Sequence, residues 1–338
     1  MGNVLVTGGS GYIGAWCTLA LLEAGHSVRT TVRDLAREPH VRDMLRRGGA
    51  EPGDALRVVR ADLQEDEGWR EAVDGCDHVL HVASPTLTRV PRDDDEMVRP
   101  AVDGTLRVLR AARDAGVRRV VLTSAIGAIA YGHDRRHTPF TEQDWTNVDA
   151  DIAPYQKSKT LAERAAWDFI GSEGDGLELA TVNPTGVLGP VLGPDYSPSL
   201  GSIAGMLDGS VPASLPFATG YVDVRDVAAL HLLAMTEPAA AGERFIATAG
   251  HSLWMREVAA VLRERLGDRA AKVPTREMPV LVARGLARVN PQVRNLRAII
   301  GRNLDATAAK AERLLGWKAR PIEDTIVETA ESLLALPR

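Results

Sequence analysis

The chain has 338 residues, 45% of them hydrophobic and 25% charged, and a net charge of −5. That size suits a domain of ordinary dimensions carrying a smaller one, and the mild acidity argues against nucleic acid, which needs a basic excess or stripe. No apolar run approaches the ~20 residues of a membrane span. Val4 reads as part of a first strand rather than a signal peptide. The only cysteines, Cys17 and Cys76, have no metal-like spacing and read as packing residues, so a reducing, cytoplasmic setting and no metal are expected.

Residues 3–7 (NVLVT) predict a strand, and a helical pattern through 15–25 stops at Gly25. Between them Gly8, Gly11 and Gly14 recur every third residue. Such a turn is either a plain strand-to-helix connection or a pyrophosphate cradle. In the second case bare Gly8 and Gly11 let backbone N–H groups approach the phosphates at the helix N-terminus, and Gly14 lets helix and sheet pack closely. A second strand, 27–32, ends where a dinucleotide site reads the ribose. NAD sites usually place Asp or Glu there, whereas this chain has Arg33, with Arg37 one turn on. Arginine pairs with a 2′-phosphate that a carboxylate would repel, so the site selects NADP(H). Asp34 weighs against this, and an exposed loop arginine is the alternative. A third strand, 56–62, ends at Asp62-Leu63, placed either to meet adenine or to cap the next helix.

Further strands are expected at 77–83, 118–124 and 177–183, with helices at 96–116 and 154–170. This alternation of apolar strands and helices implies a parallel sheet covered on both faces. His81 reads as a buried, satisfied histidine, and 92–96 (RDDDE) as a solvated loop before a helix. From Pro184 to Gly220 the chain is rich in Gly and Pro, with Asp195 and Asp208 its only charges, and reads as irregular, pocket-forming structure. Stretches 221–235 and 243–248 look like a return to the sheet. From His251 onward three or four helical patterns form a small lobe, broken at Asn290-Pro291 and Gly316-Trp317. Trp145, Trp167 and Trp317 read as core contacts, and Arg225 with Asp226 as a structural pair starting a helix.

Tyr155 and Lys159, four apart, share one face of the 154–170 helix. An ammonium about 4 Å from a phenol, at an effective dielectric near 20, is worth roughly 4 kcal/mol, or about three pKa units. Such a phenol can donate a proton to a carbonyl oxygen or take one from an alcohol. The hydroxyls of Thr123 and Ser124, at a strand end, are placed to hydrogen-bond a reacting carbonyl.

Together TGGSGYIG, ADL, HVASP, VLTS, YQKSKTLAERAAW, NPTGVLGP and YVDVRDVAALH resemble the extended short-chain dehydrogenase/reductase family. The branch indicated is that of dihydroflavonol, cinnamoyl-CoA and NADPH aldehyde/ketone reductases, and the likeness runs from residue 4 to about 250. It implies an α/β fold: a Rossmann-type doubly wound parallel sheet with a smaller, mostly helical C-terminal substrate lobe. The dinucleotide-binding domain would be 1–183 with 221–248, and the substrate lobe 184–220 with 249–338. The resemblance implies a Ser–Tyr–Lys set: Tyr155 as proton donor, Lys159 holding the nicotinamide ribose and lowering the tyrosine pKa, and Ser124 polarising the carbonyl. Relatives commonly read Thr-Ser-Ser with the second serine catalytic, whereas this chain reads Thr123-Ser124-Ala125, so Thr123 or water is the alternative. The cofactor would meet Tyr12 and Ile13 in the glycine turn, Arg33 at the 2′-phosphate, Val82, Ala83 and Ser84 alongside, and Pro184, Thr185 and Val187 at the nicotinamide.

The expected activity is NADPH-dependent reduction of an aldehyde or ketone, or the reverse alcohol oxidation. A nucleotide-sugar epimerase or dehydratase is the first alternative, but its diphosphate calls for basic residues that 184–220 lacks. A non-enzymatic NADP sensor is the second, and it has no use for Tyr155 and Lys159. The expected substrate is a small, neutral, partly hydrophobic carbonyl compound, and the expected state a monomer or weak homodimer.

Overall fold

The computed structural model describes residues 2–85, 93–193 and 197–336. Its first half is β1 (Asn3–Val6), α1 (Tyr12–Glu23), β2 (Ser27–Val32), α2 (Glu38–Arg47), β3 (Leu56–Arg60), α3 (Trp69–Val73), β4 (His78–His81), α4 (Asp95–Asp114), β5 (Arg119–Thr123), α5 (Pro154–Glu173) and β6 (Glu178–Pro184). There follow β7 (Gly186–Leu188), α6 (Pro198–Asp208), β8 (Ala218–Thr219), β9 (Tyr221–Asp223), α7 (Val224–Thr236) and β10 (Arg244–Ala247). The remainder is β11 (Leu253–Trp254), α8 (Met255–Leu266), α9 (Val280–Val289), α10 (Pro291–Arg294), β12 (Asn303–Leu304), α11 (Ala309–Leu315) and α12 (Ile322–Leu334).

Seven strands form one parallel sheet in the order β10-β6-β5-β4-β1-β2-β3. Side chains alternate between its faces. Val4 and Val6 enter a core with Leu19, Leu45 and Leu230 of α1, α2 and α7. Leu5, between them, enters a second core with Trp69, Val108, Leu109 and Phe169 of α3, α4 and α5. With both faces buried, the strands need no polar alternation. Strand order reverses between β1 and β4, so a crevice opens at the carboxyl ends of those two strands.

Four stretches differ from the sequence expectation. Residues 184–220 are not wholly irregular, since they hold α6 and the short β7 and β8. Pro198 at the first turn and Gly209 (φ +85) just past the end are helix punctuation rather than breakers, and Leu200, Ile203, Met206 and Leu207 bury one face. Within 221–235, Tyr221–Asp223 pairs with β7 outside the main sheet, whereas β10 extends the sheet at its edge. After 251 the helices are joined by a small sheet, β11-β8-β12. The breaks at Asn290-Pro291 and Gly316 fall between α9 and α10 and at the end of α11. Asp95 and Glu96 open α4 rather than lying in a loop, and Arg92 and Asp195 lie outside the described residues. No helix among the described residues is long and apolar enough to cross a membrane.

Candidate active site

The glycine turn sits at the crevice. Gly8 has φ +73, and a Cβ there would stand 3.1 Å from the Cα of Ala83, so the loops after β1 and β4 touch through the missing side chain. A Cβ on Gly14 would collide with the Gly8 carbonyl. Gly11 is the N-cap of α1, so the first N–H groups of that helix open into the crevice. This cradle, which any side chain would fill, fits a pyrophosphate. Threonines that sequence reasoning passed over brace it. Thr31 Oγ1 accepts from Gly8 N at 3.0 Å, and Thr7 Oγ1 accepts from Ala83 N at 2.9 Å.

The ring of Tyr12 is buried, with its hydroxyl in the field of Asp223 and Arg225 beside α7, and Ile13 packs on the core. Arg33 is exposed at the carboxyl end of β2, and Arg37 ends the short turn Leu35–Arg37 capped by Asp34. Asp62 accepts from Gln64 N at 3.0 Å, holding its own turn, while Leu63 is buried against Gly104 of α4. Val82, Ala83 and Ser84 follow β4 half-buried. Pro184 ends β6, the Thr185 hydroxyl donates to the Ala247 carbonyl at 3.1 Å, and Val187 is buried in β7.

Tyr155 and Lys159 lie in the first two turns of α5, which starts on Pro154. Lys159 Nζ donates to the Thr123 carbonyl at 3.1 Å, at the carboxyl end of β5. Burial brings the Lys159 ammonium down to about 8, against the opposing pull of Glu163. Burial, helped by the same ammonium, drives His81 down to about 3, so this 1% exposed imidazole is neutral. Its Nδ1 lies 2.9 Å from Thr7 Oγ1, the satisfied arrangement expected of it.

The Tyr155 phenol is pushed up rather than down, to about 12, by burial and by the neighbouring Tyr131. Yet 46% of Tyr155 is open to solvent, and water reaching the ring tempers the upward push. Either way the expected acidification by Lys159 is not present, because the ammonium is turned to the Thr123 carbonyl.

Thr123 and Ser124 are both buried, and both hydroxyls are committed. His231 Nδ1 lies 2.8 Å from the Val227 carbonyl, which can only accept, so that nitrogen carries the proton and Nε2 accepts from Thr123 Oγ1 at 2.6 Å. Ser124 Oγ donates to Glu163, a fully buried carboxylate paired with Arg244 at 2.6 Å. Asn183 Nδ2 also donates to Glu163, at 2.7 Å, and the Arg244 guanidinium stacks 3.7 Å from the centre of the Trp145 ring. Ser124 is therefore tied into a network behind the strand. His231, on the buried face of α7, carries no motif that would have revealed it. Glu163 could have been found four residues after Lys159 on the same helix.

Arg225 pairs with Asp223 rather than Asp226, and Asp226 accepts from Arg320 N. Trp167 and Trp317 bond Glu163 and the Asp226 carbonyl, and both cysteines are free and buried.

A doubly wound sheet with a glycine cradle at its crevice and a Tyr–Lys helix face beside it defines a pyridine-nucleotide-dependent oxidoreductase. Residues 4–247 match the NAD dependent epimerase/dehydratase family, and the chain belongs to it, in the extended short-chain branch. It is 39% identical over 251 residues to cinnamoyl-CoA reductase 1 of Arabidopsis thaliana, covering 72% of this chain and 70% of that one. It is 34% identical over 343 residues to cinnamoyl-CoA reductase CAD2 of Medicago truncatula, covering 98% and 96%. Among solved structures, yeast methylglyoxal/isovaleraldehyde reductase Gre2, complexed with NADPH, matches with a TM-score of 0.79 and 25% identity over 98% of each chain.

Proposed function

We propose that this protein reduces a small, neutral, partly hydrophobic aldehyde or ketone with NADPH, the reactant lying between the glycine cradle and the 184–220 side of the cleft. The observation that carries the reading is the place of Lys159, bonded to the carboxyl end of β5 and in the field of His81 at the end of β4, with Tyr155 one turn away. Bound NADPH supplies the hydride for the carbonyl carbon. The backbone of Gly8 to Gly14 holds the pyrophosphate, and Arg33 meets the 2′-phosphate. Tyr155 Oη gives its proton to the carbonyl oxygen, so that the product is an alcohol. A phenol whose surroundings favour the protonated form carries the proton that the carbonyl oxygen takes. Lys159 holds the ribose and supplies positive charge near the developing alkoxide. Ser124 cannot polarise the carbonyl as placed, because its one proton is on Glu163. Residues 1–183 with 221–248 form the cofactor side, and 184–220 with 249–338 the substrate side.

The absence of Lys and Arg from 184–220 supports a neutral reactant over a nucleotide sugar. The test is NADPH absorbance loss with isovaleraldehyde, ethyl pyruvate, acetophenone, a dihydroflavonol and cinnamoyl-CoA, repeated with NADH. Turnover of at least one carbonyl, faster with NADPH and lost in Tyr155→Phe, is the expected result. Silence across the panel with either coenzyme refutes the reading.

A further inference from the structure

The strand end that should polarise a carbonyl has no free hydroxyl proton. A hydroxyl donates once. Thr123 spends its proton on His231, Ser124 spends its own on Glu163, and Ala125 has none.

We infer that the phenol of Tyr131 is the second hydrogen-bond donor to the reacting carbonyl, taking the place of the hydroxyl that position 125 lacks. The inference rests on the reductase reading above. Tyr131 lies close enough to both Tyr155 and Tyr221 for its phenol to act on the charge of each. The Tyr221 ring lies against Gly186 of β7, where it blocks any side chain, so Tyr131 is near the 184–220 side of the cleft as well as near Tyr155. Tyr131 is held in place at both backbone groups. Its N–H donates to Thr146 Oγ1 at 3.0 Å, and its carbonyl accepts from Asn147 N at 3.0 Å.

Gln156 orients the phenol. Its amide hydrogen-bonds the Tyr131 hydroxyl, and its Oε1 is buried without a partner. A Cβ on Gly127 would meet Gln156 Cγ at 3.5 Å and Ala125 Cβ at 3.8 Å, so Ala125 and Gln156 line the same small volume. A hydroxyl at position 125 and the phenol that Gln156 holds therefore serve one region, next to Tyr155. With Tyr155 donating the proton and Tyr131 a hydrogen bond, the carbonyl oxygen receives two donors as negative charge develops on it.

The test is steady-state kinetics with NADPH on isovaleraldehyde and ethyl pyruvate for the wild type, Tyr131→Phe, Tyr131→Phe with Ala125→Ser, and Tyr155→Phe. NADPH titration and thermal unfolding of each variant check folding. Loss of one donor of this kind lowers kcat ~10²-fold with KM within about threefold, and the added serine should recover at least about tenfold. If Tyr131→Phe keeps more than about a third of kcat while Tyr155→Phe is dead, the inference is wrong and the reductase reading stands. A loss that Ala125→Ser leaves untouched in a variant that still binds NADPH overturns it equally. A silent wild type removes both.

Discussion

His231 and His81 are each held neutral by burial, His231 near 4 and His81 near 3, against an ordinary value of 6.5. The consequence has a definite sign. Between pH 6.5 and about 4 the unfolded chain takes up protons that the folded chain refuses. Stability therefore falls as pH drops through that window and is fully present above it. Each histidine contributes a loss of about 2 kcal/mol between pH 7 and pH 5. Urea unfolding at a series of pH values should show this slope, and His231→Gln should flatten it by about 2 kcal/mol over that interval, whatever the variant does to stability at pH 7. An unchanged slope in that variant would mean that His231 is already charged in the fold, and Thr123 would then be free to donate elsewhere.

The element that carries Tyr155 and Lys159 is fastened through Glu163, which joins α5 to β10 by Arg244 and to β6 by Asn183. Removing one partner of such a buried pair leaves a charge without compensation, costing about 3–5 kcal/mol, whereas removing both is far less damaging. Arg244→Leu should lower stability by that amount in urea, and Glu163→Leu with Arg244→Leu should lose less than the single variant. Strict additivity would show that the two do not interact. How much of this was legible follows from the range over which each signal acts. The sheet, its crevice and the placement of Tyr155 with Lys159 rest on local periodicity and on glycines within one turn, so sequence reached them. The helix Pro198–Asp208 was missed because Pro198 and Gly209 punctuate its ends, and because Gly201 and Gly205 inside it weaken the local helix signal that the burial of Leu200, Ile203, Met206 and Leu207 overrides. The fate of Thr123 and Ser124 was not legible either. Their partners, His231 and Glu163, are 108 and 39 residues away, and only the packed fold brings them together.

At the scale of the molecule, α12 closes the substrate side. It buries Ile326 and Ala330 completely, and its polar residues bond the chain between β7 and α6. Thr329 Oγ1 accepts from Gly189 N at 2.7 Å, and Ser332 Oγ accepts from Val191 N at 3.1 Å. Thr325 Oγ1 donates to Asp223 Oδ2 at 3.0 Å, and Arg225 bridges Asp223 to Glu328. Two effects follow, and they separate. Ile326→Ala removes core volume and should cost about 2–5 kcal/mol, read as a lower unfolding midpoint. Thr329→Val keeps the volume but leaves the Gly189 N–H buried and unpaired, at about 1–3 kcal/mol. Because Gly189 lies two residues past Val187, Thr329→Val should loosen the proposed substrate side more than the glycine cradle, whose helix α1 reaches this segment through Trp16 Nε1, which donates to the Pro190 carbonyl at 3.1 Å. The carbonyl KM should then rise several-fold with a clearly smaller fall in NADPH affinity. If NADPH affinity falls in step with KM, the C-terminal helix supports the whole crevice instead, and the division into cofactor and substrate sides does not hold.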